Sequence, residues 1–364
     1  MRRCKLCLMP DQLPGSDFDA DSVCAWCRDA YPPYVTKGEQ ILAHKFKGLA
    51  DHQGAADCLV GLSGGKDSTY ALYRLVKHYH LKVEAFIYTH GGSKDFAIQN
   101  AKRSCEILDV PYYLVSLPGD THTQSFLHYF KAWLAHPDST AAGMTCVACK
   151  HLHILGSQIA VRRRIPYVVW ASTPLEYSPF LAIKHQGDAS HQYKREGMLH
   201  SGLQLAREIV QSPRFAQGLL RVPRTSILGC LAVFPNSAYL RFRYRSVSPL
   251  MFYSYEKWDP ELILDTITSN LDWKIPPEIK EDWHTDCVFN VFKEHMFQKM
   301  YGVSYTDSHL SNQIRHGYLS REEARIKLKE SKRFYAASIL PALQFLKSQA
   351  LMSQIDLSCF DVDI

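Results

Sequence analysis

From about residue 53 onward, short β-branched apolar runs alternate with amphipathic stretches. The run Asp57-Cys58-Leu59-Val60-Gly61-Leu62 is nearly continuous in apolar character and predicts a buried strand, while 67–79 carries helical spacing. A second strand is predicted over 83–88, followed by a helix over 95–108, and a third strand over 112–117. A helix over about 147–163 leads to a fourth strand over 165–170. Strands alternating with helices in this way imply an α/β, doubly wound parallel sheet with helices on both faces.

The pattern changes at both ends. Residues 1–35 are rich in Cys, Asp and Pro and show neither period, so they read as a loop-rich module that needs an internal brace. Beyond about Pro249 the strand runs give way to helical patterns over 259–269, 284–301, 320–331 and 334–352. Three regions are therefore expected: a module over 1–35, the α/β domain over 36–248, and a mostly helical portion over 249–364.

Of the 364 residues 46% are apolar and 21% charged, the usage of an ordinary globular protein with carbon enough for a sizeable core. No window of 18 uncharged apolar residues occurs, and Met1-Arg2-Arg3-Cys4-Lys5 runs into Pro10 and Asp11 without a hydrophobic stretch. The expectation is no membrane span, no signal peptide and a cytoplasmic location. The net charge of +6 is too mild for a dedicated nucleic-acid coat and compatible with phosphorylated ligands. Eleven cysteines in a reducing compartment are read as metal or redox chemistry.

The most specific motif is Ser63-Gly64-Gly65-Lys66-Asp67-Ser68, directly after the first expected strand and at the start of a helix. Two glycines let the backbone turn with its N–H groups exposed, and the helix N-terminus adds partial positive charge, so phosphate is the expected guest. A Walker loop has another spacing, and here Asp67 follows the lysine. The strand ends Tyr88-Thr89 and Trp170-Ala171 fall at the carboxyl edge of the sheet, where such folds bind ligands. Glu176 and Tyr177, just past the fourth strand, are placed for substrate contact.

Cys4-x2-Cys7 and Cys24-x2-Cys27, sixteen residues apart, have the spacing of a four-cysteine zinc ribbon, and the metal is expected to be structural Zn²⁺. A second pair, Cys146-Val147-Ala148-Cys149, lies at the mouth of the helix leading to the fourth strand. With one more thiolate it would suit a [4Fe-4S] cluster; Cys230, after a glycine in a loop-like stretch, is the first candidate and Cys287 the second. Cys58, Cys105 and Cys359 read as packing positions.

The loop resembles the signature of the PP-loop ATP pyrophosphatases, a HUP-like class. That resemblance implies cleavage of ATP to AMP and pyrophosphate, with AMP placed on a substrate oxygen. It implies that Ser63, Gly64, Gly65, Lys66 and Ser68 hold the pyrophosphate portion and that Asp67 helps hold Mg²⁺. Over most of the length the layout is similar to the N-acetyl sugar amidotransferases, through Cys4-Lys5-Leu6-Cys7-Leu8-Met9-Pro10-Asp11, Val23-Cys24-Ala25-Trp26-Cys27-Arg28, Tyr255-Glu256-Lys257-Trp258-Asp259 and Ile314-Arg315-His316-Gly317. Thr145-Cys146-Val147-Ala148-Cys149-Lys150 departs from that pattern and resembles the iron-sulfur PP-loop thiolases that sulfurate tRNA. The Gly-His-Asn/Asp segment of those thiolases is replaced here by Ala171-Ser172-Thr173-Pro174.

These likenesses imply an ATP-dependent transferase in which a carbonyl or amide oxygen of the acceptor is adenylated and then replaced. Lys66, Asp67, Cys146 and Cys149 are the residues expected to carry the chemistry. Sulfur is the favoured incoming atom because of the second cysteine pair, and ammonia from a glutaminase partner is the alternative. A nucleotide or nucleobase, another small metabolite and tRNA all remain open as acceptor. The partners expected are that acceptor, a sulfur-donor or glutaminase protein, and a second copy of the chain in a homodimer. A different class is a zinc-ribbon nucleic-acid-binding module using Arg162-Arg163-Arg164 and Arg241-Phe242-Arg243-Tyr244-Arg245, where alternating Arg and aromatics fit charge neutralisation with stacking.

Overall fold

A computed structural model describes residues 1–13, 15–28, 35–49, 53–173, 175–176, 206–207, 209–277, 279 and 284–348. Its centre is a five-stranded, wholly parallel sheet built from β1 (Cys58–Leu62), β2 (Val83–Tyr88), β3 (Tyr112–Val115), β4 (Tyr167–Trp170) and β5 (Ser248–Met251). The strand order is β3-β2-β1-β4-β5, so the winding reverses between β1 and β4. A crevice opens at the carboxyl ends of the strands at such a reversal.

The period of two along β1 assigns its faces. Cys58, Val60 and Leu62 enter a core with Leu72 and Leu75 of the helix Lys66–Lys77, Ala101 and Cys105 of the helix Asp95–Ile107, and Ile263 and Ile267 of the helix Pro260–Leu271. Leu59 enters the opposite core with Phe86, Val168, Trp170 and Ala160 of the helix His151–Arg163. Gly61 is small because the Trp170 and Phe86 rings cross there; a Cβ on it would lie 3.0 Å from Trp170.

β5 spans residues 248–251 and pairs with β4, so the sheet runs past the point where strands were expected to give way. Its four residues include Pro249, tolerated at this sheet edge. The C-terminal half is helical: Pro260–Leu271, Phe289–Tyr301, Thr306–Arg315 and Arg321–Ser348. The last is one helix where two were expected, and the stretch 284–288 precedes a helix instead of starting it. The helix Thr306–Arg315 was not expected at all, because eight consecutive buried residues, Thr306 to Gln313, include only one apolar side chain, Leu310. No described helix is long and apolar enough to cross a membrane. Pro174, Tyr177 and Cys359 lie outside the described residues.

The N-terminal module does not carry its own core. Cys4, Cys7, Met9, Leu13 and Cys24 pack with Phe297 and Val303, and Arg3, Arg315 and Arg321 stitch it to the C-terminal helices.

Candidate functional site

The turn after β1 is fixed by its glycines and hydroxyls. Gly64 has φ +79°, and a Cβ there would sit 1.8 Å from the Ala97 carbonyl oxygen, so only glycine lets the helix Asp95–Ile107 come this close. Gly65 N–H donates to Ser63 Oγ at 3.2 Å, and Ser68 Oγ–H donates to the Gly65 carbonyl at 3.2 Å. Gly65 caps the helix Lys66–Lys77, whose first turn therefore faces the turn it leaves. From the far side Trp273 Nε1–H donates to the Gly64 carbonyl at 2.9 Å.

Lys66 is buried, with its ammonium 3.5 Å from Asp67 Oδ2 and over the Trp258 ring. Trp258 Nε1–H donates to Asp67 Oδ1 at 2.7 Å, and the Tyr253 hydroxyl donates to the Asp67 carbonyl at 3.1 Å. An indole donor, an ammonium and a backbone bond thus fix the carboxylate at the crevice. Across it, on the segment after β4, Glu176 is open to solvent and yet enclosed by charged neighbours. Desolvation by the protein surrounding the crevice, then the Asp67 charge, pushes its carboxyl up to about 7, while Lys66 pulls the other way. Burial also raises the Asp286 carboxyl against the pull of Lys293 and Lys94. His284 is held well below its usual range by burial and by Lys293, His309, Lys66 and Lys150. Through these side chains the phosphate-type turn and the second cysteine pair share one electrostatic environment.

Cys146 and Cys149 are half-buried and close enough to couple, and the coupling lowers Cys149 and raises Cys146. Burial alone would depress Lys293, but the Cys146 and Cys149 sulfurs and Tyr305 raise it above the ordinary lysine range. Cys287 interacts electrostatically with Cys146 and Cys149, and burial raises its thiol. His122 Nε2 lies 3.5 Å from Cys149 Sγ, and its Nδ1 lies 2.8 Å from the Tyr88 hydroxyl. Burial lowers His122 to about 4 and His90, stacked on it at 3.8 Å, to about 3, so both rings are neutral at pH 7. Three thiols beside an ammonium are a donor set suited to an iron-sulfur cluster. Cys230 is exposed on the helix Pro223–Leu231, with its sulfur 3.8 Å from Met144 Sδ, and the preceding Gly229 brings that helix against the backbone of Val147, between the two cysteines of the pair.

The sulfur atoms of Cys4, Cys7, Cys24 and Cys27 all lie within 4.8 Å of one another. Four thiols with no oxygen ligand among them are the donor set of a closed zinc site. Arg315 Nη1–H donates to Cys7 Sγ at 2.9 Å, and the backbone N–H groups of Leu6 and Cys24 donate to Cys4 Sγ at 3.4 Å.

The other expected positions divide. Tyr88 faces His122, and Thr89 N–H donates to the Val115 carbonyl at 2.8 Å. Trp170 sends its ring into the core against Phe86 and His153, and Ala171 packs on the opposite core, which leaves their backbone at the crevice. Arg163 pairs with Glu84 at 2.6 Å, and Arg164 caps its helix with φ +55°. The Arg-aromatic run falls on the helix Ala238–Arg243 and the turn after it. His122, Lys293, Asp286 and Trp273 were not anticipated; only Trp258, inside a segment of the resemblance, carried a signal.

A Ser-Gly-Gly-Lys-Asp-Ser turn leaving the first strand of a β3-β2-β1-β4-β5 parallel sheet is the PP-loop arrangement that the sequence resemblance implied. No family model matches the chain. Over 74 residues it is 31% identical to the tRNA-specific 2-thiouridylase MnmA of Helicobacter pylori (strain G27), a match that spans 20% of this chain and 22% of that relative. Among solved structures it is similar to the NMN synthetase from Francisella tularensis, at 12% identity and TM-score 0.37 over 82% of this chain and 92% of that one. It is also similar to the U34-tRNA thiolase NcsA from Methanococcus maripaludis with its [4Fe-4S] cluster, at 13% identity and TM-score 0.33 over 87% of each chain. A third is the NH3-dependent NAD synthetase from Campylobacter jejuni subsp. jejuni NCTC 11168, at 17% identity and TM-score 0.28 over 52% of this chain and 96% of that one.

Proposed function

We propose that this chain is an ATP-dependent transferase that adenylates a carbonyl or amide oxygen of its acceptor, releases pyrophosphate, and replaces that oxygen with sulfur. The observation that carries the reading is the shared environment just described: His284 interacts with Lys66 at the turn and Lys293 at the thiols, and Asp286 with Glu176 on one side and Lys293 on the other. Two half-reactions need two sites within reach of one bound acceptor, and effective molarity rewards that arrangement.

The Gly64-Gly65 turn and the start of the helix Lys66–Lys77 offer backbone N–H groups to the phosphates, with Lys66 as the fixed cation. Asp67, oriented by Trp258, would hold Mg²⁺. Glu176, titrating near neutrality, stands where it can accept a proton or carry a charge toward the acceptor. Cys146, Cys149 and Cys287 would hold a [4Fe-4S] cluster, which when bound supplies an open iron for sulfide. Lys293 compensates the thiolate charge, and His122 aims a ring nitrogen at Cys149. Cys4, Cys7, Cys24 and Cys27 would hold a structural zinc ion. The acceptor is a nucleotide, nucleobase or related small metabolite.

A second reading keeps the chemistry and makes tRNA the acceptor; the short match to the tRNA-specific 2-thiouridylase favours it. Anaerobically prepared protein, incubated with ATP, sulfide and either a nucleotide pool or unmodified tRNA, is the test. AMP and pyrophosphate with a new thiocarbonyl in one pool support the reading and choose the acceptor. ADP and phosphate as the main products overturn it, and an amidine formed from ammonia by iron-free protein hands the function to the amidotransferase alternative.

A further inference from the structure

The buried polar helix Thr306–Arg315 connects the four-cysteine set to the crevice. Arg315 Nη1–H donates to Cys7 Sγ at 2.9 Å, and Arg315 Nη2–H donates to Asn312 Oδ1. Asn312 Nδ2–H then donates to the Leu175 carbonyl at 2.9 Å. Leu175 is fully buried, and the next residue is Glu176, whose N–H closes a turn onto the Thr173 carbonyl at 3.2 Å. Three side-chain hydrogen bonds therefore run from a thiol of the N-terminal module to the backbone that presents Glu176 to Asp67 and Lys66.

Chemistry makes this chain directional. The guanidinium is a planar fork with donors in fixed relation, so a sulfur at one tine sets where the other points. An arginine donor on Oδ1 decides which way round the Asn312 amide stands, and only that orientation turns its N–H toward Leu175. Asn312 is buried, and an amide there is costly unless both ends are paired, whereas an apolar residue would fill the space without that requirement. A ligand sulfur fixed by a metal accepts a charge-assisted bond, which is stronger and better aimed than one to a loose thiol.

We propose that Arg315 and Asn312 are positioning residues for Glu176, through which a metal ion on Cys4, Cys7, Cys24 and Cys27 sets the geometry of the phosphate-turn crevice. The metal then does more than fold its own module: loss of it releases Arg315, lets the Asn312 amide turn, and loosens the turn over 173–176. The consequence for activity rests on the reading of that crevice as an ATP site, but the coupling itself does not.

Hydrogen exchange of the full chain, read by mass spectrometry beside its zinc content, tests the coupling without any assay of activity. Asn312→Asp keeps the acceptor for Arg315 and removes the donor to Leu175; Arg315→Lys cannot hold sulfur and amide together. Both are expected to retain the metal and the protection of residues 1–28, while exchange in the peptide covering 173–176 rises at least tenfold. Stripping the metal from wild-type protein with a chelator should raise exchange in both segments, and stripping it from Asn312→Asp should add nothing at 173–176. This last comparison separates coupling from general loosening, and the wild-type arm stands even where a variant fails to fold. Protein that takes up no metal, or metal-free wild type with 1–28 exchanging and 173–176 unchanged, overturns the proposal. Intact coupling in a protein that makes no AMP would overturn only the reading of the crevice.

Discussion

His122 Nε2 lies 3.5 Å from Cys149 Sγ while its Nδ1 lies 2.8 Å from the Tyr88 hydroxyl, so the ring links a strand-end tyrosine to one thiol of the pair. A neutral imidazole has one N–H. With a thiolate at Cys149, Tyr88 donates to Nδ1 and Nε2–H donates to the sulfur. With a thiol, Nε2 accepts from it, Nδ1–H donates to Tyr88, and the tyrosine turns to the Ala148 carbonyl at 3.4 Å. Both patterns satisfy every atom, and one proton separates them.

Cys149 should therefore be the reactive member of the pair. Metal-free protein treated with limiting iodoacetamide at pH 7.5 is expected to carry the label on Cys149 before Cys146, because their coupling lowers one and raises the other. His122→Phe should slow labelling of Cys149 by about tenfold, the effect of about one pKa unit. Peptide mapping that finds Cys146 labelled first would refute the assignment.

Trp258→Phe removes the indole donor to Asp67 and keeps the packing around it. A hydrogen bond to a charged group is worth about 1.5–3 kcal/mol, so AMP formation should fall by roughly ten- to a hundredfold. Asp67→Asn should abolish it while the far-ultraviolet circular dichroism stays unchanged. A Trp258→Phe enzyme of wild-type rate would show that the indole only fills space.

How much of this was written in the sequence depends on range. β1 to β4 were legible because their apolar runs are continuous and bounded by helical spacing. β5 was not, since four residues including Pro249 make no pattern until β4 lies beside them. The polar helix Thr306–Arg315 hides for the opposite reason: its side chains are buried by partners such as Arg3 on Asp307 and Leu175 on Asn312, far away in sequence. The turn at 63–68 and the four N-terminal cysteines were readable as spacings. His122, Lys293 and Cys287 come together only through the fold, which no local spacing encodes.

Glu294 supplies a pH test. It is buried, accepts the Tyr305 N–H at 2.9 Å, and burial pushes its carboxyl from 4.5 up to about 7. A raised carboxyl means that the folded state binds more protons than the unfolded chain between about pH 4.5 and 7, so stability falls as pH rises through that window and stays lower above it. The effect is on the order of 3 kcal/mol. Glu294→Gln should flatten much of the decline in urea midpoint from pH 5 to 7.5, with Glu176 supplying a residual slope of the same sign. A wild-type midpoint that climbs across this range would contradict the account.

Removal of cysteines from the N-terminal set should cost metal and solubility together, because the module borrows its core and closes it around the sulfurs. Cys4→Ser with Cys7→Ser is expected to take zinc from one equivalent to none. One equivalent retained in the double variant would move the metal elsewhere.

The third iron ligand is where sequence and structure weigh differently. A glycine before Cys230 suggested a loop ligand; the residue lies instead on the helix Pro223–Leu231, exposed beside Met144, and Gly229 holds that helix against Val147 inside the cysteine pair. Cys287 follows Asp286, interacts with Cys146 and Cys149, and bridges to Ser93 in the segment after β2. Cys287→Ala, like Cys146→Ala, should therefore leave anaerobically reconstituted protein without absorbance near 400 nm, and Cys230→Ala should keep it. All three should still form AMP, because the phosphate turn belongs to β1 and its hydrogen bonds involve none of these sulfurs. Loss of iron in Cys230→Ala with retention in Cys287→Ala would return the ligand to the helix. Wild-type protein that binds no iron under any reconstitution would leave the three thiols without a metal and remove sulfur transfer through a cluster.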